Sequence, residues 1–384
     1  MNQINNIRLP SPSIDCANLL WSFSIDERDF VRSISPMNNL SIDNGEDWDG
    51  DWLSPMGLDL QFNGGFGVSF NSLQQGDLPI IFELLEQLWL DGVEAICPTL
   101  VTCSIDSLRR SLEILHQVRK ENPLQSCKLL GAHLEGPFLA RNFRGAHDVN
   151  HLEIPSLSAL NERIKGYEDE IALVTLAPEL PGSIEVLQRL IEMNVVVSLG
   201  HSGASANLCS EAFDKGVTMI THAFNAMPGI HHRAPGPIAE AIQHGEISLG
   251  LIADGVHVHP TIVKIIQRLA PGKIVLISDA LSPYGMSKER FKWDHRELIV
   301  SNDLCKLEDG TLVGTTLPLL EACRRLAEWT KENSSAIWSA TVAPRIALKQ
   351  GEDVQEFLIG KSLRQLLRWH VAGDSKELTW KHAK

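Results

Sequence analysis

Short apolar runs alternate with amphipathic segments along most of the chain. From about residue 57 onward, eight runs rich in β-branched and apolar residues are each followed by Gly, Pro, His or Asp. These runs predict strands, and they read MGLDLQF, VEAICPTL, CKLLGAHLE, IALVTLAPE, VVVSLGH, VTMITHA, ISLGLIADG and KIVLISDA. The segments between them predict helices because apolar residues recur at spacings of three and four; they read LPIIFELLEQLWLDG, SIDSLRRSLEILHQVRKEN, PGSIEVLQRLIEMN, GASANLCSEAFDKG, GPIAEAIQHG and PTIVKIIQRLAPG.

This order of elements predicts the fold class. Strands that alternate with helices form parallel βαβ units, and eight such units match an α/β fold of the (β/α)8 TIM-barrel type. An open doubly wound sheet is the alternative, but the stretch NGGFG at residues 63–67 lacks the spacing of a dinucleotide-binding loop. We expect the barrel to span residues 57–339, and the two chain ends, 1–56 and 340–384, to form a small β domain together.

Composition and charge exclude several classes of protein. A hydrophobic fraction of 43% and a charged fraction of 21% are typical of a globular chain. The net charge of -14 argues against nucleic acid or an anionic membrane as the partner. Neither a bilayer-spanning apolar run nor a secretory signal is recognisable, and the seven cysteines contain no CxxC pair. We therefore expect a cytoplasmic protein.

Imidazoles and carboxylates follow five of the eight predicted strands. Since the carboxyl ends of barrel strands converge on one mouth, these side chains are expected to meet there. One such residue would mean little, but each unpaired buried polar group costs a few kcal/mol, so five strand ends indicate a site. The residues are His133 and Glu135, His201, His222, Asp254 and His257, and Asp279. His133 could orient a neighbouring group or simply pack in the core.

The chemistry of this cluster indicates a divalent metal. Two imidazoles and one carboxylate leave an open coordination position, as in catalytic zinc sites. We therefore predict Glu135, His201 and His222 as ligands. A metal at such a site lowers the pKa of water to about 7. Asp279, after the eighth strand, is then the expected general acid and base.

Several stretches together resemble one known family, the N-acetylglucosamine-6-phosphate deacetylases of the amidohydrolase superfamily. They occur in order between about residues 53 and 320, mostly at strand ends, and they read HLEGPF, GHSGAS, THAFNAMPGIHHRAPG, IADGVHV, SDALSPYG and GTLVGTTL. The combination is far more specific than any single motif.

The resemblance implies roles for individual residues. It implies the same three metal ligands and the same acid/base residue as the chemistry above. It also implies that His147 helps to hold the substrate and polarises its amide carbonyl. The remaining substrate-binding positions that it implies are Ala146, Asn225, Ala226, Arg233, His257, Leu312, Val313 and Gly314. Arg233 is expected to bind phosphate in the site of a neighbouring subunit, so a homodimer is implied.

The first strand departs from the pattern of many amidohydrolases, which carry His-x-His there for a second metal. This chain has Gln61 and Asn63 at that place. Amide side chains are poor ligands for a transition metal, so we predict one divalent ion per subunit. The affinity order places zinc ahead of iron and manganese, which stay alternatives.

The predicted activity is deacetylation of a small-molecule amino-sugar phosphate, N-acetyl-D-glucosamine 6-phosphate. The alternatives are the galactosamine epimer, another amidohydrolase such as a dihydroorotase, and a sugar-phosphate binding protein without activity. A dihydroorotase would carry a lysine on the fourth strand, and IALVTLAPE has none. A barrel isomerase is a weaker alternative because its reaction would give His201 and His222 no function.

Overall fold

The computed structural model describes residues 2–13, 16–37, 45–123, 125–373 and 376–384. Residues 1, 14, 15 and 38–44 of the predicted N-terminal segment thus lie outside the described part. The strands, in chain order, are β1 (Asn2–Arg8), β2 (Leu20–Ile25), β3 (Val31–Pro36), β4 (Glu46–Asp47), β5 (Trp52–Pro55), β6 (Gly57–Phe62), β7 (Gly64–Gly65), β8 (Val68–Ser69), β9 (Val93–Val101), β10 (Lys128–Leu129), β11 (Ala132–Glu135), β12 (Ile171–Leu176), β13 (Val196–Leu199), β14 (Met219–Ile220), β15 (Ser248–Leu251), β16 (Ile274–Leu276), β17 (Arg290–Trp293), β18 (Arg296–Ser301), β19 (Leu304–Lys306), β20 (Leu312–Thr315), β21 (Leu366–Ala372) and β22 (Glu377–His382). The helices are α1 (Leu78–Leu90), α2 (Ile105–Glu121), α3 (Leu157–Ile164), α4 (Ser183–Glu192), α5 (Ala206–Asp214), α6 (Gly236–His244), α7 (Pro260–Leu269), α8 (Leu319–Thr330), α9 (Asn333–Thr341) and α10 (Ala343–Ala347).

Parallel strands form a nearly closed barrel. Within the described residues its order is β6, β9, β11, β12, β13, β14, β15 and β16, and all the neighbouring pairs are parallel. The first strand meets the end of the eighth where Asn63 N donates to Ala280 O at 2.7 Å and Asp279 N donates to Gln61 O at 3.0 Å. The predicted (β/α)8 barrel is confirmed.

The third predicted strand, CKLLGAHLE, is divided at Gly131 into β10 and β11. Gly131 has φ +133, and a Cβ there would lie 3.0 Å from the Cβ of Ala172. Only glycine adopts this backbone readily. The interruption shortens β11, so that it ends on Glu135.

Amphipathic helices cover the barrel, and α2 shows why they form. The Ser104 side chain caps its first turn by accepting from Ser107 N. Leu108, Leu112 and Leu115 follow at spacings of three and four and are all buried. Burying each of these side chains contributes about 1.5–3 kcal/mol. Replacing Leu112 with alanine should therefore lower the free energy of unfolding by about 2–5 kcal/mol.

No helix in the described ranges combines the length and the apolar character needed to cross a membrane.

Both chain ends enter one mixed sheet of order β22-β21-β5-β1-β2-β3, with β4 paired to β1. Strand β21 runs antiparallel to β5, and Trp369 lies opposite Trp52. The sheet has its own apolar core, which includes Ile7, Phe23 and Leu53. The small β unit built from the two chain ends is thus confirmed, whereas its exact boundaries, 1–56 and 340–384, stay a prediction.

A buried ion pair joins this unit to the barrel. Arg345, on α10, pairs with Glu94 on β9 and donates to Met56 O at 2.9 Å. Lys361 also pairs with Glu94. Arg345 is only 4% exposed, so the charge of its guanidinium depends on Glu94 for compensation.

A second sheet, missed in the sequence, is inserted after the eighth barrel strand. It is antiparallel with the order β17-β18-β19-β20. Asn302 and Asp303 both have positive φ between β18 and β19, as the tight turn of a hairpin requires. Arg290–Trp293 alternates exposed and buried positions. Those alternating residues and the Asn-Asp turn are the signal that could have revealed it.

Candidate active site

Four predicted functional side chains meet at the carboxyl ends of barrel strands. Glu135 is the last residue of β11, His201 and His222 each lie two residues beyond β13 and β14, and Asp279 lies three beyond β16. All four are at most 5% exposed. His201, His222 and Asp279 have φ of +49, +26 and +48, a conformation that costs free energy in residues other than glycine. Backbone strain of this kind is concentrated at functional sites.

Glu135 and two imidazoles form a compact triangle. His201 Nε2 lies 3.0 Å and His222 Nε2 lies 2.9 Å from Glu135 Oε1, and the two nitrogens are 3.0 Å apart. Around a tetrahedral zinc with bonds of 2.0 Å, neighbouring ligand atoms are about 3.3 Å apart. The observed spacing is close to that value.

The hydrogen bonds show why the triangle suits a cation. His201 Nδ1–H donates to Phe143 O at 2.9 Å, so a neutral His201 presents the lone pair of Nε2 to the cluster. That lone pair faces the carboxylate oxygen of Glu135. Two acceptors at this distance repel each other unless a proton or a metal ion lies between them. The donor set therefore fits a divalent ion.

The pKa shifts agree with this charge arrangement. Burial alone would raise the pKa of Glu135, but its close contacts with the imidazoles of His201 and His222 hold it well below its usual value. Burial lowers the pKa of His222, yet the hydrogen bond and the charge of Glu135 outweigh it, so this pKa is raised. The cluster thus keeps an ionised carboxylate that attracts positive charge.

A wider group includes a third imidazole. Glu135, His147 and His201 each offer a ligand atom, and these atoms lie within 4.8 Å of one another. His147 Nδ1, however, accepts from Thr102 N at 3.3 Å and contacts Thr102 Oγ1 at 2.8 Å. The neutral ring must then carry its proton on Nε2, which faces Glu135 Oε2 at 3.9 Å. His147 is therefore placed as a hydrogen-bond donor, and His222 is the better ligand.

Burial and then the charge of His201 lower the pKa of His147 to about 3. The ring stays neutral at physiological pH, with its Nε2–H directed into the cavity. Thr102, which fixes this tautomer, was missed in the sequence. Its position directly after β9, at a strand end like the others, is the signal that could have found it.

Asp279 is held by two amide side chains, one on the first barrel strand and one directly after it. Asn63 Nδ2 donates to Asp279 Oδ1 at 2.8 Å, and Gln61 Nε2 donates to the same oxygen at 3.2 Å. Gln61 Nε2 also lies 3.1 Å from Glu135 Oε1. Burial and the charge of Glu135 raise the pKa of Asp279 to about 6. The carboxyl is therefore poised to exchange protons near neutral pH.

Most of the expected substrate-binding residues surround one cavity of about 170 Å³ above these groups. Among the implied positions, the cavity is lined by Ala146, Asn225, Ala226, His257, Leu312 and Val313. Two implied positions do not line it. Arg233 is exposed on the loop before α6. Gly314 lies on β20, where a Cβ would come within 2.5 Å of Asp279 O.

His257 is oriented by a carboxylate to which the sequence assigned no role. Its Nδ1–H donates to Asp254 Oδ2 at 2.6 Å, while Asp254 Oδ1 accepts from Val256 N and His257 N. Burial would raise the pKa of Asp254, but these hydrogen bonds and His257 lower it. His257 Nε2 is left for the cavity.

His133 is a core residue. Its Nε2 lies 2.7 Å from Thr175 Oγ1 inside the barrel, and it does not line the cavity. Burial lowers the pKa of His133 to about 4. The imidazole is thus neutral and packed in the core, which is the second of the two roles that the sequence allowed.

Comparison with known proteins identifies the family. The chain matches no protein-family model. It is 35% identical over 316 residues to the N-acetylglucosamine-6-phosphate deacetylase of Bos taurus, covering 79% of this chain and 76% of that protein. The chain belongs to the N-acetylglucosamine-6-phosphate deacetylase family. The chain is also similar to the N-acetylgalactosamine-6-phosphate deacetylase of Escherichia coli O157:H7, with 31% identity over 298 residues, 77% of this chain and 78% of that one.

A solved structure of the same family extends the likeness to nearly the whole fold. The N-acetylglucosamine-6-phosphate deacetylase of Thermotoga maritima superposes with a TM-score of 0.79 at 25% identity, over 99% of this chain and 98% of that chain. The amidohydrolase barrel of this family implies a divalent metal. The resemblance inferred from the motifs is confirmed.

Proposed function

We propose that the protein hydrolyses the acetamide of N-acetyl-D-glucosamine 6-phosphate, giving D-glucosamine 6-phosphate and acetate. Family membership supports the substrate class. The observation that carries the chemistry is the triangle of Glu135, His201 and His222 linked through Gln61 to Asp279. This arrangement joins a cation site to a carboxyl with a pKa near 6.

Glu135, His201 and His222 would hold one divalent ion. Such an ion supplies Lewis acidity, which lowers the pKa of water and polarises a carbonyl oxygen. Two imidazoles and a carboxylate suit zinc, which precedes iron and manganese in the affinity order. Gln61 and Asn63 direct amide N–H groups at the carboxylates, which supports one ion per subunit rather than two.

Asp279 and His147 then act on the amide. Ionised Asp279 takes a proton from the attacking water as the new C–O bond forms. It returns that proton to the nitrogen as the C–N bond breaks, so the amino sugar leaves as a neutral amine. The Nε2–H of His147 donates to the carbonyl oxygen, where negative charge develops.

The remaining residues bind the substrate. Asn225, the backbone of Ala226 and His257 lie on the loops after the sixth and seventh barrel strands and would take the polar groups of the sugar phosphate. Arg233 is exposed and does not line its own cavity. This position supports a role for its guanidinium in the site of a second copy, and hence a homodimer.

The test is acetate release from the sugar phosphate, with and without a chelator. Asp279→Asn should abolish turnover without loss of bound metal. Asp309→Asn, on an exposed turn of the inserted sheet, is the matched control and should behave as the unmodified protein. Unchanged activity in Asp279→Asn would remove this carboxylate from the mechanism, and tight substrate binding without turnover would indicate a binding protein.

The galactosamine epimer is the second candidate substrate. The chain's similarity to the Escherichia coli O157:H7 N-acetylgalactosamine-6-phosphate deacetylase is the reason to test it. Comparing kcat/KM for the two epimers decides between them, and we expect the glucosamine epimer to be preferred.

A further inference from the structure

Trp293 is a cavity residue that neither the motifs nor the mechanism uses. It ends β17 in the inserted sheet and is 6% exposed. Its side chain lines the cavity that also contains Glu135, His147 and Asp279. The guanidinium of Arg296 lies 4.6 Å from the ring centroid and is itself held by Asp294 at 2.6 Å. The hairpin therefore fixes the position of the indole.

The wall around Trp293 is apolar. Trp293 packs in one buried cluster with Ala146 and Leu281, and Val313 packs against that cluster. All four side chains line the cavity. The sheet inserted after the eighth barrel strand thus contributes an aromatic group to a surface that the barrel loops complete.

This wall adjoins the groups that act on the amide. Ala146 directly precedes His147, and Leu281 follows Asp279 by two residues. Under the proposed mechanism, His147 donates to the carbonyl oxygen and Asp279 protonates the amide nitrogen. The acyl substituent is bonded to the same carbonyl carbon, so it must lie close to both groups. An apolar surface there suits a methyl group and excludes water from it.

We propose that Trp293, together with Ala146 and Leu281, forms the pocket for the acyl substituent and restricts it to about the size of acetyl. The inference rests on the proposed deacetylase function. A hydrophobic pocket discriminates one methylene by about 10- to 200-fold in kcat/KM. A ring fixed between Arg296 and the apolar cluster cannot move aside for a longer chain without losing those contacts.

The experiment compares N-acetyl-, N-propionyl- and N-butyryl-glucosamine 6-phosphate, with the released amine measured by fluorescent labelling. The unmodified protein should prefer acetyl over propionyl at least about 10-fold. Trp293→Ala should reduce that preference at least about 10-fold and bring butyryl into the measurable range. Should Trp293→Ala fail to fold, Trp293→Leu should shift the ratio in the same direction by less.

Phe291→Ala is the matched control. Phe291 lies two residues earlier on the same face of β17 and in the same apolar cluster, but it does not line the cavity. Its acyl preference should equal that of the unmodified protein. An equal change in the control, or an equal loss of kcat/KM for all three amides in Trp293→Ala, overturns the inference. A wild-type protein that hydrolyses none of them overturns the proposed function, and the acyl pocket with it.

Discussion

Replacing Asn63 with leucine removes the shorter of the two amide hydrogen bonds to Asp279, the one of 2.8 Å, and leaves the bond of 3.2 Å from Gln61. A hydrogen bond to a charged group contributes about 1.5–3 kcal/mol. Since 1.36 kcal/mol corresponds to one pKa unit, the pKa of Asp279 should rise by about one to two.

The sign of the effect follows from the role of the base. The reaction needs ionised Asp279, so a higher pKa moves the acidic limb of the kcat/KM profile to higher pH. If the pKa rises by one to two from about 6, activity at pH 6 should fall about 6- to 50-fold. At pH 9, Asp279 is ionised in both proteins, so the activity of the variant should stay close to that of the unmodified protein.

The assay is acetate release across pH 5 to about 9, with metal content checked in each variant. Asn71→Leu is the control because Asn71 lies outside this cavity and contacts Ser69 Oγ instead. Its acidic limb should not move. If the limb of Asn63→Leu also stays in place, the group that titrates is not Asp279, and the proposed base is wrong.

Further predictions concern the His147 tautomer, the metal and the interface between barrel and sheet. Thr102→Val keeps the backbone N–H but removes the hydroxyl 2.8 Å from His147, so kcat should fall about fivefold; a change in KM alone would contradict the assigned role. Glu135→Gln should reduce bound zinc, measured by mass spectrometry after dialysis, to about one-tenth or less, and full retention would exclude Glu135 as a ligand. Arg345→Met leaves Glu94 without its closest partner, so the free energy of unfolding in urea should fall by about 3 kcal/mol. Adding Glu94→Gln should restore part of the lost free energy of unfolding. If the double variant is less stable still, the unpaired charge of Glu94 is not the cause of the loss.

Much of the site could be predicted because barrel topology converts sequence order into position. Glu135 and His201 are 66 residues apart, and Glu135 and His222 are 87 apart, yet each follows a strand whose end faces the same mouth. Local patterns locate those strand ends. The roles of the ligands and of the binding residues stay predictions until they are tested.

What local patterns could not supply is the direction of individual side chains. In the sequence, Gln61 was informative only because it stands where many amidohydrolases have a metal-binding histidine. In the structure its side chain donates to Asp279, 218 residues away. The tautomer of His147 depends on Thr102, on another strand end. Trp293 lines the cavity from the inserted hairpin, which packs in one apolar cluster with Ala146. Each of these contacts requires a barrel that has already closed.

The sheet that unites the two chain ends has a consequence for biosynthesis. Strand β5 pairs with β21, and Asp51 bonds to Arg368, 317 residues later. At about 5–20 residues per second, a ribosome needs roughly 15–60 s between making the two partners. During that interval the amino-terminal strands have an open edge, which is a hazard for aggregation. Nascent chains lacking the last two strands should therefore need chaperone protection, even if the catalytic barrel has already formed.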